Sequence, residues 1–154
     1  MKKILAMLLA LVMVLSLAAC ASTQPAAEPA ASSDAPAESG KTYTVGVCQL
    51  VQHEALDAAT QGFVDALKEA LGDAVTVDVQ NASGDSVNCG TIVNGFVAKG
   101  VDLIMANATP ALTAAVSATA DIPILGTSIT AYGVALDIDD FSGTVGGNVS
   151  GTSD

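Results

Sequence analysis

The chain has 154 residues, is 51% hydrophobic and only 14% charged, and carries a formal net charge of −11 with no arginine. So acidic a surface repels phosphate backbones, which excludes nucleic acid as a partner. Anionic lipid headgroups gain nothing from it either, so membrane contact has to come from a lipid.

Residues 1–20 read MKKILAMLLALVMVLSLAAC: two lysines, an unbroken apolar run, then small residues leading into Cys20. That order of n-region, h-region and small-residue processing site is a secretory signal. The apolar run from Ile4 to Ala19 has 16 residues, short of the ~20 that a spanning helix needs. It therefore reads as a signal peptide over 1–19 rather than a transmembrane anchor. Leu17-Ala18-Ala19-Cys20 resembles the bacterial lipobox, in which the cysteine thiol is acylated and the chain is cut just before it. The resemblance implies a lipidated Cys20 and a protein anchored on the extracytoplasmic face of the cell membrane, held stably where two or more acyl chains are present. Removing the two leader lysines from the five leaves three against sixteen acidic residues, a net charge of −13.

Residues 20–41 contain ASTQPAAEPAASSDAPAESG, with no large apolar side chain. Such a stretch cannot bury enough surface to offset its ordering entropy and is expected to be a disordered tether.

Residues 42–154 form the folded unit. Tyr43–Cys48 is a short β-rich run, followed by a helical stripe of Leu56, Ala59, Phe63, Leu67 and Ala70 that stops at Gly72. Val75–Val79 alternates as a strand does. A second helix is expected from about Asp85 to Lys99, with Val93, Phe96 and Val97 inward and Gly100 at its end. The apolar run Val101–Ala106 predicts a strand buried on both faces. Thr109-Pro110 opens a third helix, with Thr109 as N-cap and Pro110 at the first helical position. Asp121-Ile122-Pro123 ends it and leads into a strand at Ile124–Gly126. The weaker apolar stretch Val134–Leu136 is a candidate fifth strand. Alternating strands and helices predict an α/β fold, a Rossmann-like parallel sheet with helices on both faces and a 2-1-3-4 strand order.

In an open α/β sheet, ligands bind at the carboxyl ends of the strands. The candidate binding residues are Gln49 and Glu54 after the first strand, and Asn81, Ser83 and Asp85 after the second. Asn107, Ala108 and Thr109 follow the third, and Thr127, Ser128 and Thr130 the fourth. Small hydrogen-bonding side chains beside helix N-termini suit a small polar ligand, above all its carboxylate. Each residue taken singly is equally suited to an ordinary helix cap.

No catalytic residue, metal or cofactor is assigned. His53-Glu54-Ala55-Leu56-Asp57 begins like H-E-x-x-H but has Asp57 where the second histidine belongs, and the chain has no other histidine; a zinc site needs three or four good ligands. There is no G-x-S-x-G elbow or G-x-G-x-x-G after the first strand, and the glycine-rich Gly143–Asn148 has no lysine to make a Walker loop. Cys48 and Cys89 fit no zinc-ligand spacing. They read as two buried thiols, with a disulfide left open.

Five segments carry a family resemblance: YTVGVCQLVQHEALDAATQGFVDALKEALG, VQNASGD, VDLIMANATPA, DIPILGTSIT and GGNVSGTSD. In this order they resemble the ABC-importer substrate-binding lipoproteins that include tryptophan- and tyrosine-binding members. The resemblance implies two Rossmann-like lobes of the type I periplasmic-binding-protein kind, closing on a ligand and presenting a closed face to an ABC permease. It implies that residues 42–154 are the N-terminal lobe, with the second lobe missing. One lobe offers half a cleft and is expected to bind weakly or not at all. Within it, Thr109 and the neighbouring helix N–H groups would take a carboxylate, and Asp85 or Glu54 an ammonium. Tyr132 would lie on an apolar side chain or serve the core or a hinge. Members often carry an acidic residue soon after the IPILG strand, where this chain has Thr130-Ala131-Tyr132. The implied function is capture of a small polar ligand, an amino acid or related compound, for an importer. The alternatives are a lipid-anchored sensor or scaffold module, and an extracytoplasmic α/β enzyme.

Overall fold

The computed structural model describes residues 40–154. The signal peptide over 1–19, the lipidated Cys20 and the tether up to residue 39 lie outside the described residues. Five strands, β1 (Tyr43–Gln49), β2 (Val75–Asn81), β3 (Leu103–Asn107), β4 (Ile124–Ile129) and β5 (Val149–Ser153), form one sheet in the order β2-β1-β3-β4-β5. Every pairing is parallel. The expected 2-1-3-4 order is present, with β5 added beside β4. The helices are α1 (Glu54–Leu71), α2 (Ser86–Lys99), α3 (Thr109–Ala118) and the single turn α4 (Tyr132–Ala135).

Local chemistry sets the ends of these helices. His53 caps α1, its ring Nδ1 accepting from the Ala55 N–H at 3.3 Å, and Glu54 and Asp57 sit in the first turn where the helix dipole favours them. Asp85 caps α2, its carboxylate accepting from Val87 N–H at 2.7 Å. Gly100 closes α2 in the left-handed conformation at φ 66°, donating to the carbonyls of Phe96 and Val97.

Gln49 bonds to Thr60 of α1, so by the strand period of two Val45 and Val47 face that helix. Gly46 and Cys48 face the other way, where a β-carbon on Gly46 would lie 2.6 Å from the Phe96 ring of α2. On that second face Cys48, Cys89, Phe96, Ile104, Leu112 and Ile124 are buried together under α2 and α3. Helices thus cover both faces, as parallel sheets require.

Three expectations need correction. Val134–Leu136 is not a strand: Val134 and Ala135 belong to α4, and the fifth strand is Val149–Ser153. A three-residue apolar run is too short for its period to separate helix from strand. The α1 stripe is rotated: Thr60 and Val64 are its buried residues, Leu56, Phe63 and Leu67 flank them, and Ala70 is exposed. Thr109 is not the N-cap of α3. Ala108 holds that position without a side-chain bond, and Pro110 is the second helical residue.

The β4–β5 seam depends on two glycines. Gly126 and Gly151 are register partners, and a β-carbon on either would overlap the Tyr132 hydroxyl. That hydroxyl reaches the Thr152 carbonyl at 3.5 Å. Tyr132 is therefore a core residue of this seam, 6% exposed.

Candidate ligand-binding edge

The carboxyl ends of four strands meet in one cross-sheet row. Gln49 pairs in register with Asn81 on one side and with Asn107 on the other, and Asn107 pairs with Thr127. Asn81, Gln49, Asn107 and Thr127 therefore lie side by side, where the row just before them is mostly small or apolar: Gln80, Cys48, Ala106, Gly126. These four residues were expected in loops; they lie in the strands, three at the last position and Thr127 two before it, and the strands run one to three residues further than their apolar runs. The edge bonds of the sheet hold them there, with Leu50 N–H donating to Asn107 O and Ala82 N–H to Gln49 O.

Just beyond the row the backbone enters the left-handed half of φ space three times without glycine: Ser83 at 56°, Ala108 at 90° and Ser128 at 57°. Ala108, with ψ 156°, lies in a region that only glycine enters easily, at a cost of about 1–3 kcal/mol. Three bonds hold it: its N–H donates to Thr127 O at 3.0 Å, and its carbonyl accepts from Ala111 and Leu112 N–H, each at 3.1 Å. Ser128 sits where the β4–β5 register slips between Gly126 and Ile129, a bulge that re-aims the strand end. Such strain concentrates at ligand sites because the surrounding structure has to maintain it.

Behind the row is a buried polar chain that the sequence reading did not assemble. Asn107, fully buried, donates through Nδ2 to Leu56 O at 2.8 Å and to Thr60 Oγ1 at 2.9 Å. Thr60 donates to Gln49 Oε1 at 2.6 Å. Gln49 Nε2 donates to Val51 O at 2.9 Å and to Asp57 Oδ1 at 2.5 Å. Asn107 Oδ1 is buried with no partner among the described residues. The signal for Thr60 was a polar residue four positions from both Leu56 and Val64, inside an apolar stripe.

The remaining candidates divide by role. Asp85 is the α2 cap, and Asn81 Oδ1 accepts from Ser83 N–H at 2.8 Å, so both shape their own turn. Glu54 and Thr130 are exposed, and Thr127 and Ser128 half-buried. At the start of α3, Pro110 has no N–H and the next two amides bond to Ala108 O. The expected set of helix N–H groups is thereby reduced to that of Thr109. A groove of about 730 Å³ opens at the β1–β2 end, lined by Gln49, Asp57, Thr60, Asn81 and Ser83 among others. A shallower one of about 470 Å³ lies between α2 and α3.

Cys48 and Cys89 are both free and buried. Burial pushes the Cys48 thiol up to about 12, with Cys89 adding to the shift, and burial raises Cys89 too. No group of three or more metal-ligating side chains occurs among the described residues. Nor is any helix among them long and apolar enough to cross a membrane.

A parallel sheet with a polar, strained carboxyl edge is the arrangement in which open α/β folds bind their ligands. The chain belongs to the ABC transporter substrate binding protein family, whose family model matches residues 44–154. It is 38% identical over 160 residues to the tyrosine-binding protein of Clostridioides difficile, an alignment spanning 99% of this chain and 45% of that one. Among solved structures it is similar to a ligand-free, open substrate-binding protein with adhesive properties from Clostridium difficile, at 41% identity and TM-score 0.67. It is also similar to an ABC domain from Streptococcus pneumonia in complex with L-Trp, at 36% identity and TM-score 0.67. Each of these two matches covers 73% of this chain and 39% of the other. The chain thus spans less than half the length of the relatives it matches.

Proposed function

We propose that this chain captures an amino acid outside the cytoplasm for an ABC importer, as a lipoprotein anchored through Cys20, and that it releases the ligand unchanged rather than acting as an enzyme. The observation that carries the reading is the in-register row Asn81–Gln49–Asn107–Thr127 with strained backbone directly above it. Asn81 and Thr127, flanking the buried Gln49 and Asn107, keep polar groups accessible at the open edge, and a free amino acid needs such donors and acceptors. The family supports an importer. The tyrosine-binding relative and the Trp complex support an aromatic amino acid. The lipobox-like Leu17–Cys20 supports the anchor.

The test is thermal unfolding of the chain with each of the twenty amino acids in turn. Millimolar ligand is used. A ligand at 100 times its dissociation constant stabilises by about 2.7 kcal/mol, and recovery of that ligand unchanged separates binding from turnover. No stabilisation by any amino acid, or chemical conversion of one, contradicts the reading. Intact-mass analysis of the native protein from source-cell membranes tests the anchor: an acylated Cys20 amino terminus is expected, and an unmodified Met1 terminus contradicts it.

A further inference from the structure

We propose that the α1 side of the binding edge is an ammonium subsite, with Asp57 supplying its charge and the Gln49–Thr60–Asn107 chain holding it in place. This inference rests on the binding reading above and assigns the orientation of the ligand. Hydrogen-bond accounting carries it. The Leu56 and Val51 carbonyls and the Asp57 carboxylate can only accept, so the amide nitrogens of Asn107 and Gln49 must face them. Both carboxamides are therefore fixed in orientation. Asn107 uses one N–H on Leu56 and the other on Thr60, Thr60 passes its single proton to Gln49, and Gln49 uses both its N–H groups on Val51 and Asp57.

Gln49, Thr60 and Asn107 thus keep no side-chain donor for a ligand, while the Gln52 and Gln61 carboxamides in the same groove do. What remains beside them at the groove is acceptor capacity on the Asp57 carboxylate; Asn107 Oδ1 is buried without a partner among the described residues and does not line the groove. Asp57 is the one ionisable side chain among the groove's lining residues, and none of the three described lysines is there. A ligand carboxylate brought to Asp57 would meet a like charge, with no cation in the groove's lining to offset it. A primary ammonium brings three donors and the opposite charge. Free donors lie elsewhere in the groove, at the Gln52, Gln61 and Asn81 carboxamides and the Ser83 hydroxyl. An amino acid is thereby oriented with its ammonium at Asp57 and its carboxylate toward those neutral donors. An aspartate in the first turn of a helix needs no ligand to be stable there, so the test has to separate charge from shape.

The probes are tyramine, an amine without a carboxylate, and 3-(4-hydroxyphenyl)propionate, a carboxylate without an amine. Each is titrated into the ¹⁵N-labelled chain while the Gln49 side-chain amide is followed by NMR. Tyramine is expected to shift that signal and the propionate to leave it in place. In Asp57→Asn, whose Oδ1 still accepts from Gln49, the apparent dissociation constant for tyramine is expected to rise at least ten-fold. An unchanged tyramine titration in Asp57→Asn overturns the proposal, as does a Gln49 signal that moves with the propionate or ignores tyramine in the wild type. The wild-type arms decide the matter even if the variant does not fold. L-Tyrosine shifting the amides of Ser83 and Ala108 while sparing Gln49 would sink the subsite and leave the binding reading standing. L-Tyrosine shifting nothing would count against both.

Discussion

Thr60→Val keeps the shape of a buried side chain and deletes one hydroxyl that makes two bonds. Thr60 Oγ1 accepts from Asn107 and donates to Gln49, which are 0% and 4% exposed. Without it, Gln49 Oε1 and one Asn107 N–H are buried unpaired, at about 1–3 kcal/mol each. The added methyl returns about 1 kcal/mol of apolar burial. The net loss is about 1–5 kcal/mol, centred near 3, or roughly 4–20 °C in Tm at about 4 °C per kcal/mol for a domain of this size. Thr60→Ser keeps the hydroxyl, gives up one methyl and should cost only about 1 kcal/mol. Urea unfolding followed by circular dichroism measures all three proteins. The expected order of stability is wild type, then Ser, then Val. A valine variant as stable as the serine variant would refute the claim that this chain ties β1 and β3 to α1.

Gly126→Ala should destabilise by about 1–3 kcal/mol, because its β-carbon overlaps the Tyr132 hydroxyl. Adding Tyr132→Phe should recover part of that loss, as a coupling above about 0.5 kcal/mol in a double-mutant cycle; strict additivity contradicts the packing described. The Cys48 thiol stays protonated in the fold up to about pH 12, whereas its ordinary value is 9.0. Between those values the unfolded chain binds fewer protons, so stability is intact below about pH 9 and falls as pH rises, by at most ~1.4 kcal/mol per pH unit for this group. Unfolding curves from pH 8 to 11 should show that fall and show it reduced in Cys48→Val; equal slopes would argue against a buried thiol. The Lys99 ammonium beside Asp78 at 2.6 Å holds its carboxyl below the usual range. Lys99 is exposed and Asp78 only half-buried, so Lys99→Met should change the urea-unfolding free energy by less than about 1 kcal/mol.

Much of the sheet was legible because its strands announce themselves. Val101–Ala106 is nearly all apolar, Gly72 and Gly100 mark helix ends, and the alternation of element types leaves few topologies. The fifth strand was hidden because Val149–Ser153 is exposed over four of its five residues, and its pairing depends on space left by Gly126 and Gly151 rather than on apolar content. The binding edge was visible in outline, since a polar residue follows the apolar run of each of the first four strands. Its partners on α1 were not. Nothing in the spacing of Gln49, Asp57, Thr60 and Asn107 shows that a helix turns two of them toward the other two. Ala108 gave no signal at all: an alanine at φ 90° is a consequence of the β3–β4 hydrogen bonds around it, not of its own preference.

The central claim is that the carboxyl edge of the sheet is where the ligand sits. The most direct measurement is an amide-by-amide NMR titration of the chain with L-tyrosine, which reports where a ligand sits even when binding is weak. The account predicts saturable shifts at Asn81–Ser83, Asn107–Thr109 and Thr127–Thr130, with the opposite strand ends at Tyr43, Val75 and Leu103 unmoved. Shifts confined to that opposite end, or to the groove between α2 and α3, would contradict it.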